Sequence, residues 1–179
     1  MGTTMPAGGP TQDEIMAISL FKLGLLPEDC LLDLGCGTGK ISRAAASLVK
    51  QVCAVDRRQD AIRYAKEQAE ATGLTNIEFF CGDALDYVTT DRTFDCAFVG
   101  GSRGIVDVLP RLATQVRRTI VVNAVLVRTV NTVVETMQQL GIFREAIHVQ
   151  VSRSQGIGGS IMFKPIDPVY IIVGSGTAC

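Results

Sequence analysis

Residues 31–41 read Leu-Leu-Asp-Leu-Gly-Cys-Gly-Thr-Gly-Lys-Ile, and this stretch decides the fold of the 179-residue chain. An apolar, strand-like run over Cys30–Leu34 leads into three glycines spaced two apart, and a helix-like run over Lys40–Val49 follows at once. Glycine lets the backbone turn through positive φ and lets another molecule approach it closely. The free N–H groups at the start of the helix can bind an acceptor or an anion. The pattern predicts a strand, a tight turn and a helix, with a nucleotide-type site at the carboxyl end of the strand.

The next two predicted strands also end in acidic residues. Gln51–Val55 runs into Asp56, and Asn76–Cys81 leads into Gly82-Asp83-Ala84. A carboxylate at the end of the second strand can accept hydrogen bonds from both hydroxyls of a ribose. Either aspartate could instead be a helix N-cap, which is a common use of Asp. The spacing fits one βαβαβ half, so the three strand ends are predicted to surround one ligand.

The glycine spacing separates this turn from dinucleotide-binding turns, which read G-x-G-x-x-G. Here the turn reads G-x-G-x-G with Asp33 just before it, and this resembles motif I of the Rossmann-like S-adenosylmethionine methyltransferases. In that family the acidic residue helps hold the ammonium group of the cofactor. The loop that corresponds to Gly82-Asp83-Ala84 lines the adenine, with Asp83 accepting from its exocyclic amine. The resemblance implies S-adenosyl-L-methionine as cofactor and S-adenosyl-L-homocysteine as product.

Alternating strands and helices continue through residue 140 and predict a parallel sheet with helices on both faces. The expected fold is α/β, a Rossmann-like methyltransferase sheet of seven mostly parallel strands. Strands Phe143–Ser152 and Pro168–Val173 are expected to pair antiparallel as a C-terminal hairpin, with a loop at 153–163. Pro110 is expected to kink or split the fourth helix of the alternation, Ile105–Val116.

Thr11-Gln12-Asp13-Glu14 matches a capping box, with Thr11 as N-cap and Glu14 at N3. The helix behind it is expected to bury apolar side chains at helical spacing, namely Ile15, Ile18, Phe21 and also Leu25. Residues 1–10 are rich in Gly and Pro and are expected to be loose. The whole chain, 1–179, is predicted to be one methyltransferase domain.

The amino-acid composition favours certain partners and a certain cellular compartment. Hydrophobic residues make up 47% of the chain and the mean hydropathy is +0.28, so we expect a homo-oligomer that buries apolar surface between chains. The sequence lacks an apolar run long enough to cross a membrane. The net charge is −1 and there is no basic run, which argues against a nucleic-acid partner. The six cysteines are scattered without a C-x-x-C pair, which predicts a reducing, cytoplasmic location.

The methyl acceptor must be recognised by the loops at the carboxyl ends of the strands. DNA amine methyltransferases commonly carry an Asp/Asn-Pro-Pro-aromatic turn after the fourth strand, whereas this chain has Val-Gly-Gly-Ser there and no tryptophan. The loops lack a carboxylate cluster, and with a single histidine no metal site is predicted. Their polar and cationic side chains suit an acidic acceptor, since arginine offers a bidentate fork to carboxylates. The candidate substrate-binding residues are Ser102, Arg103, Asn123, Arg128, Arg153 and Lys164.

A more specific resemblance rests on motifs that occur in one order along nearly the whole chain. They are Gly9-Pro10-Thr11-x-x-Glu14-Ile15, Asp33-Leu-Gly-Cys-Gly-Thr-Gly39, Ala54-Val-Asp56-Arg57, Gly82-Asp83-Ala84, Val99-Gly-Gly-Ser102 and Asp167-Pro168-Val169. Together they resemble the decarboxylating cobalt-precorrin methyltransferases of cobalamin biosynthesis. The resemblance implies an enzyme that methylates carbon 15 of a cobalt-precorrin, a tetrapyrrole, and removes carbon dioxide from the ring C acetate. It also favours a tetramer.

The cofactor-binding residues that follow from both resemblances are Thr11, Asp33, Gly35, Cys36, Gly37, Thr38, Gly39, Asp56, Asp83 and Ala84. Thr11 would both cap its helix and close over the cofactor. The catalytic proton donor is not identified, although Ser102, Arg103 and Asn123 are candidates. Two alternatives stay open: a methyltransferase for another small molecule or a tRNA base, since a fold does not define its acceptor, and a non-catalytic sensor of the cofactor.

Overall fold

The computed structural model describes residues 5–6, 9–88, 91–101 and 103–178. Strands and helices alternate along most of the chain. The helices are α1 (Asp13–Leu23), α2 (Lys40–Ala46), α3 (Gln59–Ala71), α4 (Ala84–Tyr87), α5 (Ile105–Gln115) and α6 (Val127–Gln139). The strands are β1 (Cys30–Leu34), β2 (Gln51–Asp56), β3 (Ile77–Cys81), β4 (Phe94–Val99), β5 (Val116–Ala124), β6 (Phe143–Val149), β7 (Ser152–Ile157), β8 (Ser160–Pro165) and β9 (Val169–Ser175).

Seven of these strands form one sheet in the order β3-β2-β1-β4-β5-β9-β6. Strands β1 to β5 pair in parallel, and β9 lies antiparallel between β5 and β6. The expected seven-stranded α/β sheet and the antiparallel pairing of the last two long strands are confirmed. The strand order reverses between β1 and β4, and the crevice at the carboxyl ends of such strands is where open α/β sheets bind ligands.

Both faces of the sheet are buried by helices. Side chains of β1 alternate between the two sides, so that Leu32 and Leu34 pack with α4, α5 and α6, whereas Leu31 packs with α1 and α2. The near-continuous apolar strands follow from this double cover. Among the described residues, no helix combines the length and the apolar character needed to cross a bilayer.

Strands β7 and β8 form a separate two-stranded hairpin where a loop was expected. Ile157 pairs with Ser160, so Gly158 and Gly159 make a two-residue turn, and both have positive φ, 55° and 78°. Two consecutive positive φ values are what a type I′ hairpin turn requires. The prediction of a loop was wrong because β7 is mostly polar and contains glycine, and therefore lacks the β-branched alternation that marks a strand.

The start of α1 also differs from the expectation. Its N-cap is Gln12, and within the described chain it makes no side-chain capping bond, so the predicted capping box is wrong. The Glu14 carboxylate pairs with Arg153 of β7 instead. The buried face of the helix follows Ile15, Ser19 and Leu23, and Phe21 is 79% exposed, contrary to prediction.

Pro110 does not split α5, which runs unbroken from Ile105 to Gln115. Proline has no backbone N–H to donate to the carbonyl one turn before it, and its ring normally disturbs a helix at that point. Here Pro110 is exposed, while Val108, Leu109 and Leu112 on the other face are fully packed in the core. Burial of that face holds the helix together across the missing hydrogen bond.

Candidate active site

The three glycines of the turn after β1 all have positive φ, but each is required for a different reason. A Cβ on Gly35 would lie 2.8 Å from the backbone N of Gly101, so this glycine allows two loops to touch. A Cβ on Gly39 would lie 2.8 Å from the Cβ of Ala65, so this glycine seats α3 against the turn. A Cβ on Gly37 would come no closer than 3.6 Å to the described protein, and Gly37 lines a cavity, so this glycine leaves space for a ligand to approach the backbone.

Two neighbouring cavities lie at the carboxyl ends of the strands. The first, of about 430 Å³, lies between the N-terminal segment, the glycine turn and the loop after β5. The second, of about 310 Å³, lies between the ends of β2, β3 and β4. Gly35, Arg58 and Gly100 line both. The predicted residues of the first cavity are Thr11, Asp33, Gly35, Cys36, Gly37, Thr38 and Asn123, and those of the second are Asp56, Asp83, Ala84 and Arg103.

Asp33 is completely buried at the edge of the first cavity. Its Oδ2 accepts a hydrogen bond from the Ser42 hydroxyl, and its Oδ1 has no hydrogen-bond partner in the described protein. Burial raises the pKa of Asp33 to about 7, the Ser42 hydrogen bond opposes this rise, and the nearby charge of Asp56 adds to it. A buried carboxylate oxygen without a partner is costly, so its position beside a cavity indicates a cationic ligand group.

Asp56 lies at the end of β2 and accepts from four donors. Its Oδ1 accepts from the backbone N of Arg58 at 2.9 Å and from Nε of Arg58 at 3.1 Å. Its Oδ2 accepts from the backbone N of Gly37 at 2.9 Å and from Nη2 of Arg58 at 3.2 Å. Burial alone would raise the pKa of Asp56, but the hydrogen bonds from Arg58 and Gly37 outweigh it and hold the pKa below its ordinary value.

Asp83 lies on the second cavity but is also a helix cap. Its Oδ1 accepts from the backbone N of Leu85 at 2.9 Å, which makes it the N-cap of the short helix α4. The N-cap alternative raised from the sequence therefore describes the position of Asp83. A capping residue keeps a second carboxylate oxygen, so the cap and a contact to an adenine amine are compatible.

The sequence model of a protein family, described as the precorrin methyltransferase domain, matches residues 6–174 of this chain. The chain belongs to the precorrin methyltransferase family. A relative from Methanosarcina mazei, named a probable cobalt-precorrin-6B C(15)-methyltransferase (decarboxylating), is 44% identical over 173 residues, or 94% of each chain. A relative of the same name from Methanococcus vannielii is 33% identical and covers 90% of this chain and 89% of its own.

Two solved structures share the fold over nearly the whole chain. The structure described as precorrin 8W decarboxylase from Methanobacterium thermoautotrophicum has a TM-score of 0.89 at 27% identity and covers 94% of this chain and 92% of its own. Precorrin-6Y C5,15-methyltransferase from Geobacter metallireducens also has a TM-score of 0.89, at 24% identity, covering 97% of this chain and 94% of its own. The second likeness concerns the fold alone.

Lys40 is a residue of this precorrin methyltransferase site that the sequence reasoning missed. Its Nζ donates to the carbonyl of Thr11 at 2.6 Å and lies 2.6 Å from Oδ1 of Asp13, so it ties the segment before α1 to the glycine turn. A signal was available, because a lysine at the first position of a helix opposes the helix dipole. Such a cation indicates a specific partner. We call Lys40, Thr11 and Asp13 the clasp.

The predicted acceptor-binding residues are only partly brought together. Arg103 lines the second cavity, and the Asn123 amide at the first cavity donates to the hydroxyl of Ser19 at 2.9 Å. Arg153 and Lys164 are paired across β7 and β8, and neither is among the described residues that line the two cavities. Arg128 is exposed in the first turn of α6 and is likewise not a lining residue. Ser102 lies outside the described residues.

A metal centre finds no support in the part of the chain that the structure describes. Groups of three or more His, Cys, Asp or Glu side chains able to hold a metal ion do not occur among those residues. The single histidine, His148, lies on the end strand β6 of the sheet and stacks on Tyr170 with ring centroids 4.3 Å apart.

Proposed function

We propose that this protein transfers the methyl group of S-adenosyl-L-methionine to carbon 15 of a cobalt-precorrin, with decarboxylation of the ring C acetate, in cobalamin biosynthesis. One observation carries the proposal. A glycine turn, an unpaired buried carboxylate oxygen and a second buried carboxylate meet at two neighbouring cavities in a member of the precorrin methyltransferase family. The relatives at 44% and 33% identity carry the name of this reaction.

The residues present fit the cofactor. In the proposal, Asp33 binds the ammonium group of the cofactor, and Asp56 accepts hydrogen bonds from the ribose hydroxyls. The backbone of the turn from Gly35 to Gly39 lies against the cofactor. Asp83 and Ala84 border the adenine, and Thr11 closes the first cavity. When bound, S-adenosyl-L-methionine supplies an electrophilic methyl group. The chain then contributes mainly alignment of an electron-rich acceptor in a dry site, which can lower a barrier substantially.

The acceptor side of the proposal rests on size and charge. A tetrapyrrole with several carboxylates is too large to enter a 430 Å³ cavity whole, so its reacting edge would enter while its periphery stays on the rim. In the proposal its carboxylates are bound by Arg103, which lines the second cavity, and by three cations outside the cavity linings, Arg128, Arg153 and Lys164. Ser102 and Asn123 remain proposed polar contacts. Decarboxylation leaves a carbanion equivalent that must be protonated, and the donor is not assigned.

Supplying the purified protein with S-adenosyl-L-methionine and cobalt-precorrin-6B tests the proposal directly. We expect S-adenosyl-L-homocysteine and carbon dioxide to form in equal amounts, measured by chromatography and by release of label from the acetate carboxyl. Methyl transfer to tRNA or to another small molecule, with no product from the corrinoid, would contradict the proposed acceptor. Cofactor binding without any turnover would favour the sensor alternative.

Assembly and location are part of the same proposal. We infer a homo-oligomer because β7 and β8 are exposed along their whole length and carry large apolar side chains. The family resemblance, and not this exposure, favours a tetramer. Ile161 and Phe163 are 71% and 70% exposed on one face of this hairpin. A reducing, cytoplasmic location is supported by the described cysteines, which are all free thiols.

A further inference from the structure

Arg58 stands where the two cavities meet. It is the residue before α3, it lines both cavities, and its Nη2 lies 3.6 Å from where a Cβ of Gly37 would be. Its guanidinium group therefore covers part of the glycine turn that the proposed function assigns to the cofactor. The side chain is 38% exposed, whereas the Asp56 side chain beneath it is 6% exposed.

The hydrogen bonds on Asp56 reveal a competition. An ionised carboxylate offers about four acceptor positions. Two are taken by backbone N–H groups, those of Gly37 and Arg58, and two by the guanidinium, one on each oxygen. The backbone donors cannot leave without opening the turn. A ribose diol also needs one acceptor on each oxygen, and these are the two positions that the Arg58 side chain occupies.

We propose that Arg58 is a positioning residue that couples the two ligands of this site. Binding of the adenosyl ligand displaces its guanidinium from Asp56, and the released cation then binds a carboxylate of the methyl acceptor between the two cavities. The inference rests on the proposed function, because it takes the ribose to Asp56. It predicts that cofactor and acceptor strengthen each other's binding, since coupling between two ligands is reciprocal.

The geometry allows this movement. The Arg58 side chain is 38% exposed and no side-chain capping bond ties it to α3 in the described chain, although the Asp56 side chain with which it pairs is only 6% exposed. Breaking a pair with a buried carboxylate is costly unless other donors replace the lost hydrogen bonds, and the two ribose hydroxyls would replace both of them. Asp60 also lies near enough to act on the charge of Arg58. A released guanidinium that turned to Asp60 instead of the acceptor would give no coupling.

Binding measurements on Arg58→Ala test the proposal without any turnover. The probes are S-adenosyl-L-homocysteine and uroporphyrin, a tetrapyrrole with eight carboxylates, titrated separately and together by calorimetry. Removing the competing fork is expected to strengthen S-adenosyl-L-homocysteine binding about 3- to 10-fold. In the wild type, saturating S-adenosyl-L-homocysteine is expected to strengthen uroporphyrin binding by a similar factor. In Arg58→Ala this enhancement is expected to disappear.

Two further variants isolate the effect. Arg63→Ala removes an equal charge from an exposed position one turn along α3 and is expected to bind both probes as the wild type does. Arg58→Lys keeps the charge but not the fork, and it is expected to bind S-adenosyl-L-homocysteine more tightly while retaining part of the enhancement. The Lys variant also keeps the test available if the Ala variant does not fold.

Two results overturn the inference. One is weaker or unchanged S-adenosyl-L-homocysteine binding in both Arg58 variants, which would mean that Arg58 supports the ligand or does not meet it. The other is uroporphyrin binding to the wild type that is unaffected by S-adenosyl-L-homocysteine, including no binding at all. Failure of the proposed function looks different, because the wild type would then not bind S-adenosyl-L-homocysteine.

Discussion

Asp33 has no exposed surface, and burial raises its pKa to about 7. An aspartate in an unfolded chain titrates near 4, so the folded state disfavours the charged form. The cost to folding therefore grows as pH rises from about 4 to about 7 and is fully present above that. A residue that destabilises the empty fold at neutral pH is understandable if it is kept for a cationic ligand.

Replacing this carboxyl should separate stability from binding. We expect Asp33→Asn to raise the free energy of unfolding of the ligand-free protein at pH 8 by about 1–4 kcal/mol, the upper figure being three pKa units at about 1.4 kcal/mol each. At pH 4.5, just above the pKa of an unfolded aspartate, the gain should shrink to about 1 kcal/mol or less. Urea denaturation at both pH values measures this difference in the free energy of unfolding. If the stabilities of variant and wild type change in parallel with pH, Asp33 does not carry a destabilising charge in the folded state.

The same variant should bind S-adenosyl-L-homocysteine at least about tenfold more weakly at pH 8, because the ammonium loses its charged partner. For the wild type, affinity is expected to fall as pH drops below about 7, where Asp33 becomes protonated in the empty site. Calorimetry in buffers of different ionisation enthalpy should detect proton release on binding at pH 6. The Asn variant should lack that proton release.

Gly37 offers a test of the turn with a closely matched control. Both Gly37 and Gly73 have positive φ, 55° and 70°, and neither would bring a new Cβ within 3.5 Å of the described protein. Alanine at either position should cost about 1–2 kcal/mol of stability through left-handed strain. Only Gly37→Ala should also abolish S-adenosyl-L-homocysteine binding, because its methyl group enters the cavity. If the two variants bind S-adenosyl-L-homocysteine with equal affinity, the ligand does not contact this turn.

At the scale of elements, the clasp shows how the N-terminal segment is held over the first cavity. Lys40 lies on α2, and its two partners precede or begin α1. The ion pair with Asp13 is mostly exposed on the acid side, so its contribution should be modest. We expect its importance to be positional, because the same Nζ also donates to the carbonyl of Thr11, which lines the first cavity.

We expect Lys40→Gln to weaken S-adenosyl-L-homocysteine binding about 3- to 10-fold, which corresponds to about 0.7–1.4 kcal/mol, with little change in thermal stability. Limited proteolysis within residues 9–12 should become faster. Lys50→Gln is the control, because Lys50 pairs with Glu28 at 3.8 Å on the opposite end of the sheet and is 71% exposed. Unchanged affinity in Lys40→Gln would mean that the segment is held by other contacts.

Features that depend on local sequence could be predicted, whereas contacts between distant residues could not. The β1 strand, its glycine turn and the acidic ends of β1, β2 and β3 follow from local apolar runs and glycine spacing, and their positions were predicted. The partners of those groups were not: Arg58 on Asp56, Ser42 on Asp33 and Arg153 on Glu14. Side-chain pairing across elements leaves no periodic signal. For the same reason a capping box that looked complete was overridden by a residue 139 positions away.

For the whole molecule, the hairpin of β7 and β8 raises the question of what covers it. Successive side chains on a strand point to opposite faces, so Ile161 and Phe163 share one face while Met162 lies on the other. Opposite Ile161 and Phe163 stand Gly156 and Ser154, which leaves large side chains on one strand beside small ones on the next. Two such faces related by a two-fold axis can fit large side chains against small ones, which suits contact between copies of the chain.

Charge at this face should therefore change assembly without changing the fold. We expect Phe163→Asp to reduce the mass in solution measured by analytical ultracentrifugation, while the far-ultraviolet circular dichroism of the subunit is retained because the side chain is 70% exposed in the single chain. Met162→Asp places the same charge on the neighbouring position but the opposite face, and it should leave the mass unchanged. A Phe163→Asp protein of unaltered mass would place the subunit contacts elsewhere, and dissociation by both variants would assign them to both faces of the hairpin.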